Sequence, residues 1–127
     1  MKRSAVAAGV GAAALLLMLN APVANAADAK AGQEIFSRCA ACHTVQKGGA
    51  NGLGPNLFGV VGRKAGSKPD FSYSGAMKNA GFSWTPQKLD AYITHPAEVV
   101  PGNRMAFAGI PDAKQRADVI AYLRTLK

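Results

Sequence analysis

Cys39, Cys42 and His43 stand in the spacing Cys-x-x-Cys-His, and no other feature of this 127-residue chain restricts its fold so tightly. Positions three and four apart share one face of a helical turn, so two thiols and one imidazole address the same flat ligand. This spacing is the attachment signature of a c-type haem. The thiols can add to the two porphyrin vinyl groups as thioethers, and His43 then lies beneath the ring with its imidazole at the iron. Ala40 and Ala41 are small enough not to obstruct the ring.

Two other chemistries use these residue types. A thioredoxin-like redox pair needs a strand–helix α/β context, whereas the chain shows no period-two strand pattern. Zinc needs about four nitrogen or sulfur ligands. The chain offers only Cys39, Cys42, His43 and His95, and His95 stands far off with no ligand spacing.

The first residues read as a targeting segment rather than part of the fold. Met1-Lys2-Arg3 is basic, Ala5 to Leu19 is uninterrupted apolar sequence, and Ala24-Asn25-Ala26 is a small-residue cleavage motif. The apolar run is shorter than the ~20 residues that span a bilayer. The expected division is a cleaved secretory signal peptide over 1–26 and one small domain over 27–127. Removing Lys2 and Arg3 lowers the formal charge from +8 to +6. That basic balance suits acidic partner surfaces; with no Lys/Arg run and no base-stacking motif, nucleic acid is not expected as a partner. An oxidising compartment would not leave two neighbouring thiols free, and thioether bonds meet that requirement. So small a domain has a marginal core of its own, so a covalently bound porphyrin is expected at the centre of the core, with loops wrapped around it.

The domain reads as helices joined by long glycine-rich loops. Asp28 is an N-cap for a first helix whose face carries Ala31, Ile35 and Phe36 and which runs into the Cys39 turn. Glycine is frequent from Thr44 to Pro69, a loop long enough to imply function. Ser74 caps a short helix expected to end at Gly81. Thr85-Pro86 opens a helix with Leu89, Tyr92 and Ile93 on one face, expected to stop at His95 before Pro96. A second loop is expected from Pro96 to about Pro111. The last helix carries Val119, Tyr122, Leu123 and Leu126 at helical spacing.

Further motifs surround the haem signature: Gly54-Pro55-Asn56-Leu57, Gly62-Arg63-Lys64, Phe71-Ser72-Tyr73, Trp84, Pro101-Gly102-Asn103-Arg104-Met105 and Ile120-Ala121-Tyr122-Leu123. With Cys39-Ala40-Ala41-Cys42-His43-Thr44-Val45 they make the chain resemble the class I c-type cytochromes, the mitochondrial type and its bacterial periplasmic relatives, over essentially all of the domain. The resemblance implies a small all-α cytochrome c fold whose first and last helices cross, with one haem c per chain held by two thioethers. It implies a soluble, monomeric, periplasmic carrier of single electrons and not an enzyme. Its redox partners would be proteins such as a cytochrome bc-type complex, a terminal oxidase, a photosynthetic reaction centre or a periplasmic dehydrogenase, with the membrane met only through such complexes.

The sixth iron ligand has two candidates in the domain, the thioethers of Met77 and Met105. From composition alone either is equally a core filler, but Met105 follows Pro101-Gly102, in a loop that cannot be helical. The resemblance implies Met105 as the ligand; a soft thioether stabilises ferrous iron and raises the potential. His95, before Pro96, reads instead as a surface group at a helix C-terminus. The resemblance also implies that the Pro55 carbonyl accepts the free N–H of His43 and that Tyr92 donates to the Met105 sulfur. Arg63, Tyr73 and Trp84 would neutralise or hydrogen-bond the haem propionates. Gly32, Phe36 and Tyr122 match the contact between the terminal helices. The alternative is a peroxidase or gas-binding haem protein with an open iron position, which Met105 argues against. Asn103 stands where the mitochondrial form has Thr, and Met77 where it has Asn. An apolar edge of Ala40, Ala41, Ala106 and Phe107, rimmed by Arg38 and Arg104, is the expected docking patch.

Overall fold

The computed structural model describes residues 4, 5, 9, 11 and 26–127, so most of the expected signal peptide, including Met1-Lys2-Arg3, lies outside the described residues. Among the described residues no helix is long and apolar enough to cross a membrane.

Asp28 caps the first helix, as the sequence suggests. Its carboxylate accepts from the backbone N–H groups of Lys30 (2.9 Å) and Ala31 (3.2 Å), which would otherwise lack partners at a helix start. Helix α1 runs Ala29–Ile35 and tightens into a 3-10 turn over Phe36–Arg38. Helical bonding resumes around the haem motif, where the N–H groups of Cys42 and His43 both reach the Cys39 carbonyl, at 3.0 and 2.9 Å. At the other end of the chain, helix α5 spans Ala113–Arg124, capped by Asp112, which accepts from the N–H of Gln115.

Helices α1 and α5 cross at Gly32. A β-carbon built there would collide with the Asp118 backbone carbonyl, so the close approach exists because residue 32 has no side chain. One turn on, the rings of Phe36 and Tyr122 meet with centroids 5.4 Å apart. Gly32, Phe36 and Tyr122 thus form the contact expected of them.

Asp118 locks the same crossing. Its side chain is buried, and one carboxylate oxygen accepts from the Asp28 N–H (2.8 Å) and from Lys114 Nζ (2.6 Å). The Lys114 bond, then the Asp28 N–H, hold its pKa below the ordinary 3.8. A depressed carboxylate pKa stabilises the fold above the unfolded value and loses that contribution as pH falls through the folded one. Stability is therefore expected to drop below about pH 4. Asp118→Asn is expected to be less stable at neutral pH with a shallower acid transition, as read by denaturant unfolding at stepped pH.

Helix α3, Pro86–Thr94, starts on the Thr85 cap with Pro86 at its first position and buries Leu89 and Tyr92. His95 caps its end and is exposed, as read from the sequence. The structure departs from expectation directly afterwards: Pro96–Val99 is a further short helix, α4, and not loop. Proline disfavours a helical residue before it but is well suited to a first helical position, so Pro96 ends one helix and begins another. The Ser74 helix, α2, is shorter than expected, spanning Gly75–Lys78, because Asn79 already leaves helical geometry at φ −97, ψ 8. The only β pairing among the described residues is an isolated antiparallel bridge between Lys64 and Ser83. The fold is all-α, as expected. Phe36, Val60, Ala65, Trp84, Leu89, Tyr92, Val100, Ile110, Val119, Ile120 and Leu123 form the buried cluster, drawn from the 3-10 turn after α1, from α3 and α5, and from the loops.

Candidate haem site

A cavity of about 440 Å³ opens beside this cluster. Cys39, Cys42, His43, Pro55, Arg63, Tyr73, Trp84, Tyr92 and Met105 all line it, so every site residue expected from the sequence reaches one space. Most of the remaining wall is apolar, with Phe36, Leu57, Leu89, Val119 and Leu123 among the contributors.

His43 sits on the wall nearest the cysteines. Its Nδ1 lies 2.7 Å from the Pro55 carbonyl oxygen, which can only accept, so Nδ1 carries the hydrogen and Nε2 keeps its lone pair. Burial lowers the His43 pKa from 6.5, opposed by the Pro55 bond and assisted by the charge of Arg63. The ring is thus neutral near pH 7, the state a metal ligand requires. Gly54 lies flat against the imidazole, and a β-carbon there would run into the ring. Asn56, 3% exposed, ties the Pro55 segment down: its amide donates to Thr44 Oγ1 (2.9 Å) and the Gln46 carbonyl (3.0 Å) and accepts from the Phe58 N–H (2.8 Å). In the sequence Asn56 is one residue of the Gly54-Pro55-Asn56-Leu57 motif, with nothing local to mark what its amide does. Only the folded loop shows what its amide reaches.

Burial raises the Cys39 thiol pKa, countered by Arg38 and reinforced by Cys42. Cys42 is exposed at the cavity mouth. Met105 lines the same cavity half-buried, and the Tyr92 hydroxyl donates to its sulfur at 4.0 Å, a long contact for this pair. Burial pushes the Tyr92 pKa up to about 12, so the phenol keeps its proton at any physiological pH.

The expected propionate partners form a polar arc. Arg63 donates to the carbonyls of Asn56 (3.2 Å) and Phe58 (3.4 Å), and its burial lowers its pKa without bringing it near neutrality on physical grounds. Tyr73 accepts from the Lys68 N–H at 3.2 Å, leaving its own O–H free to donate. Trp84 packs against Phe82 and Tyr92 with ring centroids 4.9 and 4.8 Å apart. Met77 also lines the cavity, half-buried, on the side of α2.

An apolar pocket lined by two free cysteines, a neutral imidazole fixed in one tautomer and a polar group that includes the Arg63 cation fits a porphyrin bearing carboxylates, and defines a c-type haem protein. The family model for cytochrome c matches residues 29–127, and the chain belongs to the cytochrome c family. It is similar to cytochrome c2 of Rhodomicrobium vannielii, at 46% identity over 91% of this chain and 90% of that protein. It is also 49% identical to the cytochrome c-type cyt cy of Rhodobacter capsulatus over 83% of this chain. There it spans only 52% of the relative's length. Among solved structures, cytochrome cH from Methylobacterium extorquens superposes with a TM-score of 0.73 at 44% identity, covering 77% of this chain and 98% of that one. The protein carries covalently bound haem c and is a monohaem electron carrier.

Proposed function

We propose that residues 27–127, released from a signal peptide, carry single electrons in the periplasm between redox proteins of the membrane or periplasm, with His43 and Met105 as the axial ligands. Haem c held there supplies a one-electron Fe(II)/Fe(III) couple. The carrying observation is the convergence of nine site residues on one apolar cavity, with the His43 tautomer fixed by Pro55.

The residues divide the work. Cys39 and Cys42 hold the porphyrin as thioethers, so it is not lost with either change of charge. His43 binds through Nε2, its basicity raised by the Pro55 carbonyl. Met105 would supply the second ligand, a thioether that favours ferrous iron, with the Tyr92 hydroxyl directed at its sulfur. Arg63, Tyr73 and Trp84 offset the cost of burying propionate charge. Were His43 and Met105 both to hold the iron, no bond-making step would be needed, and the bonds that fix His43 to Pro55 and Asn56 to its loop would limit movement of the chain around the group.

Ala40, Ala41 and Ala106 are exposed and Phe107 half-buried, and Arg38 and Arg104 are free to meet solvent, which supports reading them as an apolar docking edge with a basic rim. A small contact of this kind suits brief encounters, its rim charges acting mainly on association rate. An acidic patch on a cytochrome bc-type complex, oxidase, reaction centre or dehydrogenase would meet it.

Whole-protein mass and an optical spectrum of purified protein test this reading together. The expected mass is the chain from Ala27 plus one haem, resistant to acid–acetone extraction, with a low-spin six-coordinate spectrum in both redox states. An apo mass would remove the haem assignment. Rapid carbon monoxide binding to the ferrous protein at neutral pH would transfer it to a ligand-binding or peroxidase class.

A further inference from the structure

The loop between α4 and α5 is anchored at both ends. Val100, 2% exposed, bonds through its N–H to the Pro96 carbonyl, and the Ile110 N–H bonds to the Ile93 carbonyl at 2.8 Å. Between these anchors Pro101 and Gly102 form a turn, with Gly102 at φ +85, a left-handed value that glycine adopts without strain. The Asn103 N–H closes that turn on the Val100 carbonyl at 3.1 Å.

The Asn103 side chain then acts in two directions. Its Nδ2 donates to the same Val100 carbonyl at 2.9 Å, and its Oδ1 accepts from the Met105 N–H at 2.8 Å. The amide joins the buried end of the loop to the backbone of Met105. A primary amide offers both a donor and an acceptor at this reach; a hydroxyl has one oxygen and one hydrogen for both tasks.

We propose that Asn103 is a positioning residue for Met105: it holds the Met105 backbone against the Pro101-Gly102 turn, so that the thioether is presented to the cavity and resists displacement. The proposal rests on the reading of Met105 as axial ligand. It assigns a role to a residue that stands where the mitochondrial form has Thr, and it spends the amide within the loop.

The test uses purified holoprotein and added imidazole, which competes with a thioether for ferric iron. Affinity for imidazole, the red charge-transfer absorption of sulfur-ligated ferric haem, and global unfolding in denaturant are read for the parent, Asn103→Val and Asn103→Ser. Losing two hydrogen bonds that close the loop should let Asn103→Val bind imidazole roughly tenfold more tightly. Asn103→Ser keeps a side-chain oxygen able to accept from the N–H two residues on, so its affinity should fall between those of Val and the parent. It also carries the test if the Val variant does not assemble. Asp28→Ala, which removes the α1 cap far from this loop, should lower global stability and leave imidazole affinity unchanged. If both Asn103 variants match the parent in imidazole affinity, or rise no more than Asp28→Ala at equal loss of global stability, Asn103 has only a structural role and the proposal fails. A parent protein without the sulfur absorption removes the Met105 ligand reading itself, and this inference with it, which is a distinct result.

Discussion

Met105→Ala is expected to lower the midpoint potential by a sizeable fraction of the ~0.8 V that axial-ligand identity spans. It removes the cavity-lining sulfur that the Tyr92 hydroxyl approaches at 4.0 Å. Ferric iron is then no longer disfavoured by thioether ligation. The ferrous variant should also bind carbon monoxide rapidly, while the parent should not. Redox titration of the holoprotein and carbon monoxide mixing measure the two effects separately. The effect on folding should be smaller than on the potential, since Met105 is only half-buried and its loop remains tied through Val100 and Ile110. An unchanged potential would show that Met105 does not reach the iron.

The second large effect is expected at Gly32. Even alanine puts a β-carbon into the backbone carbonyl of Asp118, and a backbone group cannot step aside as a flexible side chain can. Helices α1 and α5 would have to separate, loosening the Phe36–Tyr122 contact and the Asp28–Asp118 bond together. The expected cost is on the order of 3 kcal/mol for alanine and more for valine. Such a loss is a large share of the ~5–15 kcal/mol that holds an ordinary domain folded. Gly75→Ala is the matching control, since a β-carbon there has nothing within 4 Å. Denaturant unfolding of the three holoproteins should place Gly75→Ala near the parent and Gly32→Ala far below it.

Local chemistry made much of this protein readable in one dimension. The Cys39, Cys42 and His43 spacing, the caps at Asp28, Ser74 and Thr85, and the proline at Pro86 act over a few residues, and the structure shows each cap bonded to its own first turn. The candidate site was readable in a different way. Spacing singled out the haem motif, whereas Pro55, Arg63, Tyr73, Trp84, Tyr92 and Met105 came through resemblance, and the structure brings them all to one cavity. Met105 could not be separated from a core filler by composition, because a thioether serves either purpose equally well.

Other features depended on where packing carried the chain. Pro96 marks a boundary in sequence, but whether loop or helix follows is settled by the segment's fit beside α3, and a short helix results. Asn56 and Asn103 are both turn-type residues by composition; Asn103 bonds within its own turn, to Val100 and Met105, whereas Asn56 closes its loop only because Thr44, 12 residues back, is delivered within reach. By itself the sequence determined the chemistry at Cys39, Cys42 and His43, the all-α class and the starts of the helices, since covalent attachment and capping are short-range events. Only packing decided that Asp118 would meet Asp28 from 90 residues away and that Gly32 would be the crossing point. Those pairings exist only after two distant segments have packed, and no local preference encodes the register in which they do so.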